Sequence, residues 1–277
     1  MISPRTWNYG RPGLLIPVFF LSLIPVLGQV SWQEASVAAC GGSFVTRPGF
    51  SDAMYNQAGL GWATQSSVSI QHTRPFIISE LGISSISAQV PTGHGSFGAL
   101  FSSYGITGLR QSSVWFAYGL TLHQGITAGV GLHFWSSSIP ERMFFHPGFS
   151  CALGIQARIS DRFIMGCHVL HPAGWTTNVP GFQPRPMVLS AGCSYTFFQT
   201  TTYHADIHVF PEGYMQLSHG IQLALRDRAG FMMGIHNRPF AVSGGLTLSY
   251  LHWNIHLAFE YMTDIGSTPS SSLTYAW

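Results

Sequence analysis

The chain has 277 residues, of which 46% are hydrophobic but only 8% are charged, against about 25% charged in an ordinary soluble domain. Its 12 basic residues are all arginines and nearly balance 10 acidic residues, which gives a net charge of +2. This balance lacks the basic stripe that a nucleic-acid partner requires. A strand surface so poor in charge, and without lysine, is also unsuited to bulk water.

Residues 1–28 have the features of a secretory signal peptide, in which basic residues precede an apolar run. That run, residues 14–27, contains two prolines and is shorter than the roughly 20 residues of a membrane-spanning helix. The mature protein is therefore expected to begin near Gln29. A lipoprotein alternative stays open, because the sequence VAAC, which ends at Cys40, resembles an acylation site.

The stretch 252–261, HWNIHLAFEY, has apolar side chains at its odd positions and mainly polar ones at its even positions. Such alternation predicts a strand with one apolar and one polar face. Further segments bounded by turn residues follow the same period, with a phase slip at Ser84-Ser85 that indicates a bulge. The predicted strands are 66–74, 80–90, 95–104, 109–122, 125–136, 148–159, 162–170, 186–198, 201–210, 214–226, 229–237, 239–250, 252–261 and 271–277.

The predicted connections alternate in length: those after even-numbered strands are tight, and those after odd-numbered strands are longer, notably 136–148, 171–186 and 263–271. Sequential hairpins in an up-and-down barrel have short turns on one rim and loops on the other. No later apolar run is long enough for a spanning helix, so a membrane location requires a closed barrel. We therefore predict an all-β fold, in which residues 65–277 form a transmembrane antiparallel up-and-down β-barrel of about 14 strands.

Such a barrel is expected in the outer membrane of a Gram-negative bacterium, with lipid around its apolar faces and its long loops extracellular. The last strand alternates through Leu273, Tyr275 and Trp277 and ends on an aromatic residue. This pattern is typical of the C-terminal assembly signal of outer-membrane barrels. We therefore predict the barrel assembly machinery as a partner of this strand.

The segment 39–62, ACGGSFVTRPGFSDAMYNQAGLGW, precedes the first strand and is not strand-like. It contains a hatch motif formed by Gly41, Gly42, Phe44, Asn56, Ala58, Gly59 and Leu60. The motif resembles the pre-barrel segment of the fatty-acid-transporter outer-membrane proteins (FadL type) and of their PorV and PorQ relatives, with Gln57 in place of the usual proline. The resemblance extends over most of the mature chain and implies a 14-stranded barrel in which residues 29–64 form a luminal hatch.

The resemblance implies two functions. PorV and PorQ proteins act in Bacteroidetes-like type IX secretion, where they work with a translocon or present exported cargo, whereas the FadL branch passively transports small hydrophobic molecules. The short loops of this chain favour a docking or accessory barrel of the PorV/PorQ kind, with the transporter as the alternative. A docking barrel needs a sealed lumen and exposed apolar loop residues such as 143–145; a transporter needs an apolar pocket behind residues 56–60 and a kink that opens the wall.

A lumen polar network is predicted from residues that share the polar phase of their strands. Its members are Arg158, His204, Asp206, His208, Arg226, His256 and Glu260. Because isolated charges are costly in a low-dielectric interior, we expect pairing across the lumen rather than a selectivity filter. His204 and His208 share one strand face but would bind zinc only with a third ligand such as His236 or His256. No metal site and no cofactor are predicted.

The tripeptide Phe149-Ser150-Cys151 superficially resembles a nucleophile elbow, but it falls inside an alternating strand, whereas the elbow requires a strand-to-helix turn. No catalytic residue is therefore predicted, and the protein is not expected to be an enzyme. A hydrolase at the barrel rim is a third alternative, which would require a serine or aspartate within hydrogen-bonding reach of a histidine.

Overall fold

The structure is a computed structural model that describes residues 33–47, 53–106, 109–139, 144–176, 185–211, 213–225, 228–263 and 265–277. The predicted signal peptide, Arg226 and Met143 lie outside these ranges. The bounds proposed for the hatch, residues 29–64, also extend beyond them and stay a prediction. Among the described residues, no helix has the length and apolar character needed to cross a membrane.

Fourteen antiparallel strands form a closed barrel, in which the last strand returns to pair with the first. The predicted fold class is therefore confirmed. The strands are β1 (Ser67–Thr73), β2 (Ile83–Pro91), β3 (Ser96–Ile106), β4 (Leu109–His123), β5 (Ile126–Ile139), β6 (Phe144–Ser160), β7 (Phe163–Thr176), β8 (Val188–Phe197), β9 (Thr201–Val209), β10 (Met215–Leu225), β11 (Ala229–Asn237), β12 (Phe240–Tyr250), β13 (Trp253–Met262) and β14 (Gly266–Ala276). Helix α1 (Ala35–Ala39) and a 3-10 helix (Gln57–Trp62) precede them, and two short 3-10 helices (Pro75–Ile77 and Ser79–Leu81) connect β1 to β2.

The two faces of the strands differ as the alternation predicts. In β13, Leu257 and Phe259 on the outer face are 47% and 49% exposed, whereas Ala258 and Glu260 on the inner face are buried. The same division holds in β5, where Leu132 is exposed and its neighbours turn polar or small side chains inward. The exposed apolar band is the surface that lipid covers in an outer-membrane barrel.

Several predicted loops are instead strand. Within the connection predicted at 136–148, β5 extends to Ile139 and β6 begins at Phe144. Likewise, β7 continues to Thr176 and β14 begins at Gly266, inside the other two predicted loops. Proline and glycine made these stretches resemble loops, but the ladder tolerates them: Pro147 is paired with Ser136. Two connections after odd-numbered strands, 107–108 and 238–239, are very short. All connections after odd-numbered strands lie at one rim, which we call the loop rim. The connections after even-numbered strands lie at the opposite rim, which we call the turn rim.

The prediction of a bulge at Ser84-Ser85 is wrong, because β2 keeps a continuous register with both neighbouring strands. The phase slip has another cause: Ile83, an apolar residue, faces the lumen and is only 2% exposed. Register shifts occur elsewhere. The largest lies between β6 and β7, where Cys151 alone is opposite residues 171–173.

The N-terminal residues lie inside the barrel, where their backbone contacts glycines of the inner wall. A Cβ atom on Gly220 would lie 2.6 Å from the Cys40 carbonyl oxygen, and one on Gly166 would lie 2.9 Å from that of Val45. The wall glycines at which an added Cβ atom would meet backbone or side-chain atoms of the hatch, which we call the glycine belt, are Gly98, Gly119, Gly129, Gly131, Gly154, Gly166, Gly192, Gly220, Gly234 and Gly245. The hatch therefore occupies space that any side chain at these wall positions would fill.

Replacing a belt glycine should destabilise the protein. In Gly234→Ala, the added methyl group collides with the backbone of Gly41, which cannot swing away as a flexible side chain could. We expect a loss of about 1–3 kcal/mol in the free energy of unfolding, as for other overpacked sites, measured by urea titration of the lipid-refolded protein. The control is Gly244→Ala on the adjacent strand, where the nearest atom, the Met232 carbonyl oxygen, is 3.7 Å away. An equal loss in both variants would contradict the role of the belt.

Candidate functional site

The first half of the hatch motif forms the turn after α1. Gly41 and Gly42 have φ values of 66° and 78°, a left-handed conformation that glycine adopts without steric cost. The Gly41 amide donates a hydrogen bond to Ser243 Oγ (3.0 Å), and that hydroxyl donates to the Ala39 carbonyl oxygen (3.1 Å). The double glycine thus lets the chain reverse while it is bonded to β12.

Asp206 anchors the next part of the hatch. Its Oδ2 atom accepts hydrogen bonds from the backbone amides of Phe44 (2.6 Å) and Val45 (2.8 Å), and its side chain is buried. Bonds from amides to a carboxylate are stronger than those between neutral groups. The predicted pairing of Asp206 with an arginine is therefore replaced by a pairing with the hatch backbone.

Phe44 itself is enclosed by rings from the hatch and the wall. Its ring centroid lies 5.1 Å from those of Tyr55 and His208 and 5.8 Å from that of His168. The His208 ring is in turn bonded to Ser190, with 2.9 Å between Nδ1 and Oγ. The predicted lumen residue His208 thus contributes to packing of the hatch.

The second half of the motif begins the 3-10 helix Gln57–Trp62. The Asn56 side chain accepts a hydrogen bond from the Ala58 amide (3.2 Å) and donates one to the Val45 carbonyl oxygen (2.7 Å), which ties the two halves together. Gly59 N donates to the Asn56 carbonyl oxygen (2.9 Å). Gln57 donates its side-chain amide to the Tyr55 carbonyl oxygen (2.9 Å), a bond that proline, usual at this position, could not make.

Arg158 lies apart from the other predicted lumen residues. It is exposed at the turn rim, and its Cζ atom is 4.4 Å from the centroid of the Trp62 ring, a cation–π contact with the last residue of the 3-10 helix. The Trp62 indole also donates to Gln156 Oε1 (2.8 Å). Arg158 therefore contacts the hatch end, while Arg226 lies outside the described residues.

The remaining predicted residues form separate pairs. Glu260 lies 3.8 Å from His236 Nε2, and His256 is bonded to Thr247, with 2.9 Å between Nδ1 and Oγ1. Neither ring nitrogen of His204 has a hydrogen-bond partner within the described ranges. Among the described residues there is no group of three or more side chains placed to bind a metal ion. The predicted network is thus divided between hatch anchors and local pairs.

Sequence reasoning did not find an apolar cluster on the loop-rim side of the 3-10 helix. Its buried members are Ala53, Leu60, Leu100, Trp115, Ala117 and Ala152. Leu60, the last residue of the hatch motif, is 1% exposed and is the hatch's largest contribution to it. These residues come from the hatch and from β3, β4 and β6, so the lumen above the hatch has an apolar wall.

Four rings continue this wall towards the loop rim and form what we call the ring cluster: Trp115, His133, Trp135 and His171. The Trp115 and His133 rings are stacked, with centroids 3.7 Å apart and an interplanar angle of 7°. His133 also lies 4.9 Å from Trp135 and 5.4 Å from His171. Period-2 alternation assigns the face of each residue but not its neighbours across strands, so the cluster was not predicted.

His171 occupies an interruption in the wall. It has a φ of 55°, an uncommon conformation for a residue with a side chain, and it begins the bulge opposite Cys151. The next residue, Pro172, has no amide to donate. Pairing between β7 and β8 ends at Leu170 and Val188, so the described residues of β7 beyond Leu170 have no partner in β8.

Ser150 lies beside this bulge, within β6. Its hydroxyl donates to the Ala173 carbonyl oxygen (2.8 Å), and among the described residues it has no histidine partner. The chain continues as strand, without the strand-to-helix turn of a nucleophile elbow.

Arg185 lies just before β8, with its Cζ atom 4.8 Å from the centroid of the Trp135 ring. It is half-buried, and among the described residues it has no carboxylate or hydrogen-bond partner. Burial lowers the pKa of its guanidinium to about 10, so the group stays charged at neutral pH.

The C-terminal strand closes the barrel. Leu273 and Tyr275 face outward opposite Ile70 and Val68, and the Trp277 amide donates to the Ser66 carbonyl oxygen (2.9 Å). Recognition of this strand by the assembly machinery stays a prediction.

Removing the Asp206 carboxylate should loosen the hatch. Asp206→Ala abolishes two charge-assisted hydrogen bonds to the hatch backbone, each worth about 1.5–3 kcal/mol. We expect Cys40, which is fully buried and whose thiol pKa is raised by burial, to react faster with a polar maleimide. The measurement uses a chain in which the other three cysteines are replaced by alanine.

The control for this experiment is Glu260→Gln. It alters another buried acid of the inner wall that makes no hydrogen bond to the hatch among the described residues. Unchanged Cys40 labelling in Asp206→Ala, or equal acceleration in both variants, would show that Asp206 is not an anchor.

Solved structures with the same barrel include the CymD monoaromatic hydrocarbon channel (TM-score 0.68, 12% identity, 88% of this chain and 96% of that chain covered). They also include the toluene transporters TbuX of Ralstonia pickettii (TM-score 0.67, 13% identity, 90% and 98% covered) and TodX of Pseudomonas putida (TM-score 0.68, 12% identity, 88% and 97% covered). Neither a scan against protein-family models nor a search among curated proteins finds a match. At this identity, the likeness shows the fold alone.

Proposed function

We propose that this barrel is a passive outer-membrane channel for small hydrophobic molecules, with the loop rim outside the cell. The observation that carries the proposal is the position of the apolar cluster. It lies directly above the 3-10 helix Gln57–Trp62, on the loop-rim side, and it adjoins the interruption in the wall at His171. An apolar surface in the lumen beside a gap in the ladder is what a transporter of this kind requires; we call the space that this cluster borders the apolar compartment.

The hatch determines the route. It is packed against glycines in β3 to β8 and β10 to β12, which blocks a straight path along the barrel axis. A molecule that enters from the loop rim therefore reaches the apolar compartment and stops at the hatch. The proposed exit is sideways, past the bulge at residues 171–173 and into the lipid. An apolar molecule gains free energy by each transfer into an apolar environment, so no other driving force is required.

The solved structures with this barrel support the proposal, since they carry the names of toluene transporters and a monoaromatic hydrocarbon channel. The hypothesis that the sequence favoured, a docking barrel of the PorV/PorQ kind in secretion, stays a prediction that these structures do not support. A sealed lumen fits either function. Of the apolar residues 143–145 that docking would use, Met143 lies outside the described part of the chain, and the other two are the first residues of β6.

Removing the bulge should close the proposed exit. Deleting His171 and Pro172 leaves one residue opposite Cys151 and preserves the inward and outward phases of β7, because two residues are one full period. We expect the initial rate of radiolabelled toluene uptake to fall to that of cells without the protein. Gram-negative cells are required because their lipopolysaccharide leaflet resists apolar solutes.

Deletion of Leu122, the extra residue of the bulge at the turn-rim end of β4, is the matched control and should leave uptake unchanged. Wild-type uptake by the deletion variant would exclude the lateral exit. Wild-type protein that fails to raise uptake above the background of cells without it would exclude the channel function and favour a docking barrel.

A further inference from the structure

We propose that the ring cluster and Arg185 form a binding site for a small aromatic carboxylate, a molecule with one aromatic ring and one anionic acid group. The inference rests on the proposed channel function and narrows its substrate class. It depends on three observations in the lumen above the hatch: ring nitrogens and a cation that have no partner among the described residues, and a set of aromatic faces.

The first observation is the state of the histidines. His133 is fully buried, and in the part of the chain that the structure describes neither of its ring nitrogens has a hydrogen-bond partner; the Nδ1 atom of His171 is also without one there. Buried polar atoms in native proteins are nearly always bonded, and an unbonded one requires an explanation. Two such rings, 5.4 Å apart, indicate that a polar group of a ligand belongs beside them.

The second observation gives the charge of that group. Arg185 is a half-buried cation without a carboxylate partner among the described residues, and it is close enough to His133 and His171 to interact with both electrostatically. Its position over Trp135 holds the guanidinium at this site. A guanidinium binds a carboxylate through two parallel hydrogen bonds, and ring N–H groups of the histidines would donate to the same anion.

The third observation gives the remainder of the ligand. Trp115 and Trp135 contribute large aromatic faces, and the apolar cluster continues from Trp115 towards the hatch. Aromatic rings pack favourably in stacked or edge-to-face geometry. A purely aliphatic acid would pair with the Arg185 guanidinium but stack less well on the two tryptophan rings. A neutral hydrocarbon would leave the histidine ring nitrogens without a hydrogen-bond partner.

The strain at His171 is consistent with a ligand contact. The left-handed backbone at this residue, within the bulge, directs an imidazole towards His133 and Trp135. Strained backbone persists where the surrounding structure imposes it and is concentrated at ligand sites. The site thus borders the proposed exit, and a bound acid would lie beside it.

Calorimetric titration of the refolded full-length protein with benzoate tests the inference, with benzyl alcohol as a neutral ligand of similar shape. We expect benzoate to bind at least about tenfold more tightly, as one charge-assisted hydrogen bond allows. Arg185→Gln should abolish this preference. The control, Arg110→Gln, removes one positive charge from an exposed residue of β4 and should retain the preference for benzoate. Arg185→Lys, which keeps the charge but loses the paired donors, should give an intermediate affinity.

The inference is overturned if benzoate binds no better than benzyl alcohol, or if Arg185→Gln keeps the preference. Should Arg185→Gln fail to regain the heat-dependent gel mobility of a folded barrel, the comparison of Arg185→Lys with Arg110→Gln decides. Toluene uptake reports separately on the channel. Uptake without a benzoate preference leaves the channel intact and removes this site, whereas a benzoate preference without toluene uptake retains the site and removes the hydrocarbon channel.

Discussion

The contact on which this architecture depends is the one between the hatch backbone and wall positions that have no side chain. A chain segment inside a barrel must bring its peptide groups close enough to the wall to bond them, and a Cβ atom at Gly220 or Gly166 would prevent that approach. The resulting hydrogen bonds are specific: the Ser243 hydroxyl accepts from the Gly41 amide, and the Asp206 carboxylate accepts from the backbone amides of residues 44 and 45. Small wall residues and polar anchors therefore act together.

This constraint divides the lumen into two unlike sides. The wall from β8 to β13 supplies the buried polar anchors Asp206 and Ser243, and it contacts α1 and the turn that follows. The wall from β3 to β7 contacts the 3-10 helix and supplies apolar and aromatic side chains such as Leu100 and Trp115. Gln156 of β6 also bonds the hatch, through Trp62 and the Val45 carbonyl oxygen, so both sides hold it, but the apolar cluster is confined to the second.

The strands could be predicted from the sequence because they depend on a local pattern, whereas the hatch motif rested on a resemblance. Period-2 alternation survives at β13 and β5, and Asn56 is a helix-capping residue at the start of a helix. Prediction from the sequence failed where the role of a residue depends on partners that are distant in the chain. Asp206 shares its phase with Arg158 but bonds the hatch, and inward glycines are indistinguishable from other small polar-phase residues until the hatch is in place. Loops were overestimated because Pro147 interrupts the pattern without interrupting the ladder.

Three irregularities coincide at one place in the wall. The β6–β7 register shifts at Cys151, the ladder between β7 and β8 ends at Leu170, and His171 takes a left-handed conformation between them. A barrel needs none of these to close, since most of its other neighbouring strands pair without a shift. Each departure loses backbone hydrogen bonds or adds strain, which a structural role alone does not repay. Their position beside the apolar cluster fits the proposed exit, because a lateral route requires the wall to be weakest where the lumen is most apolar.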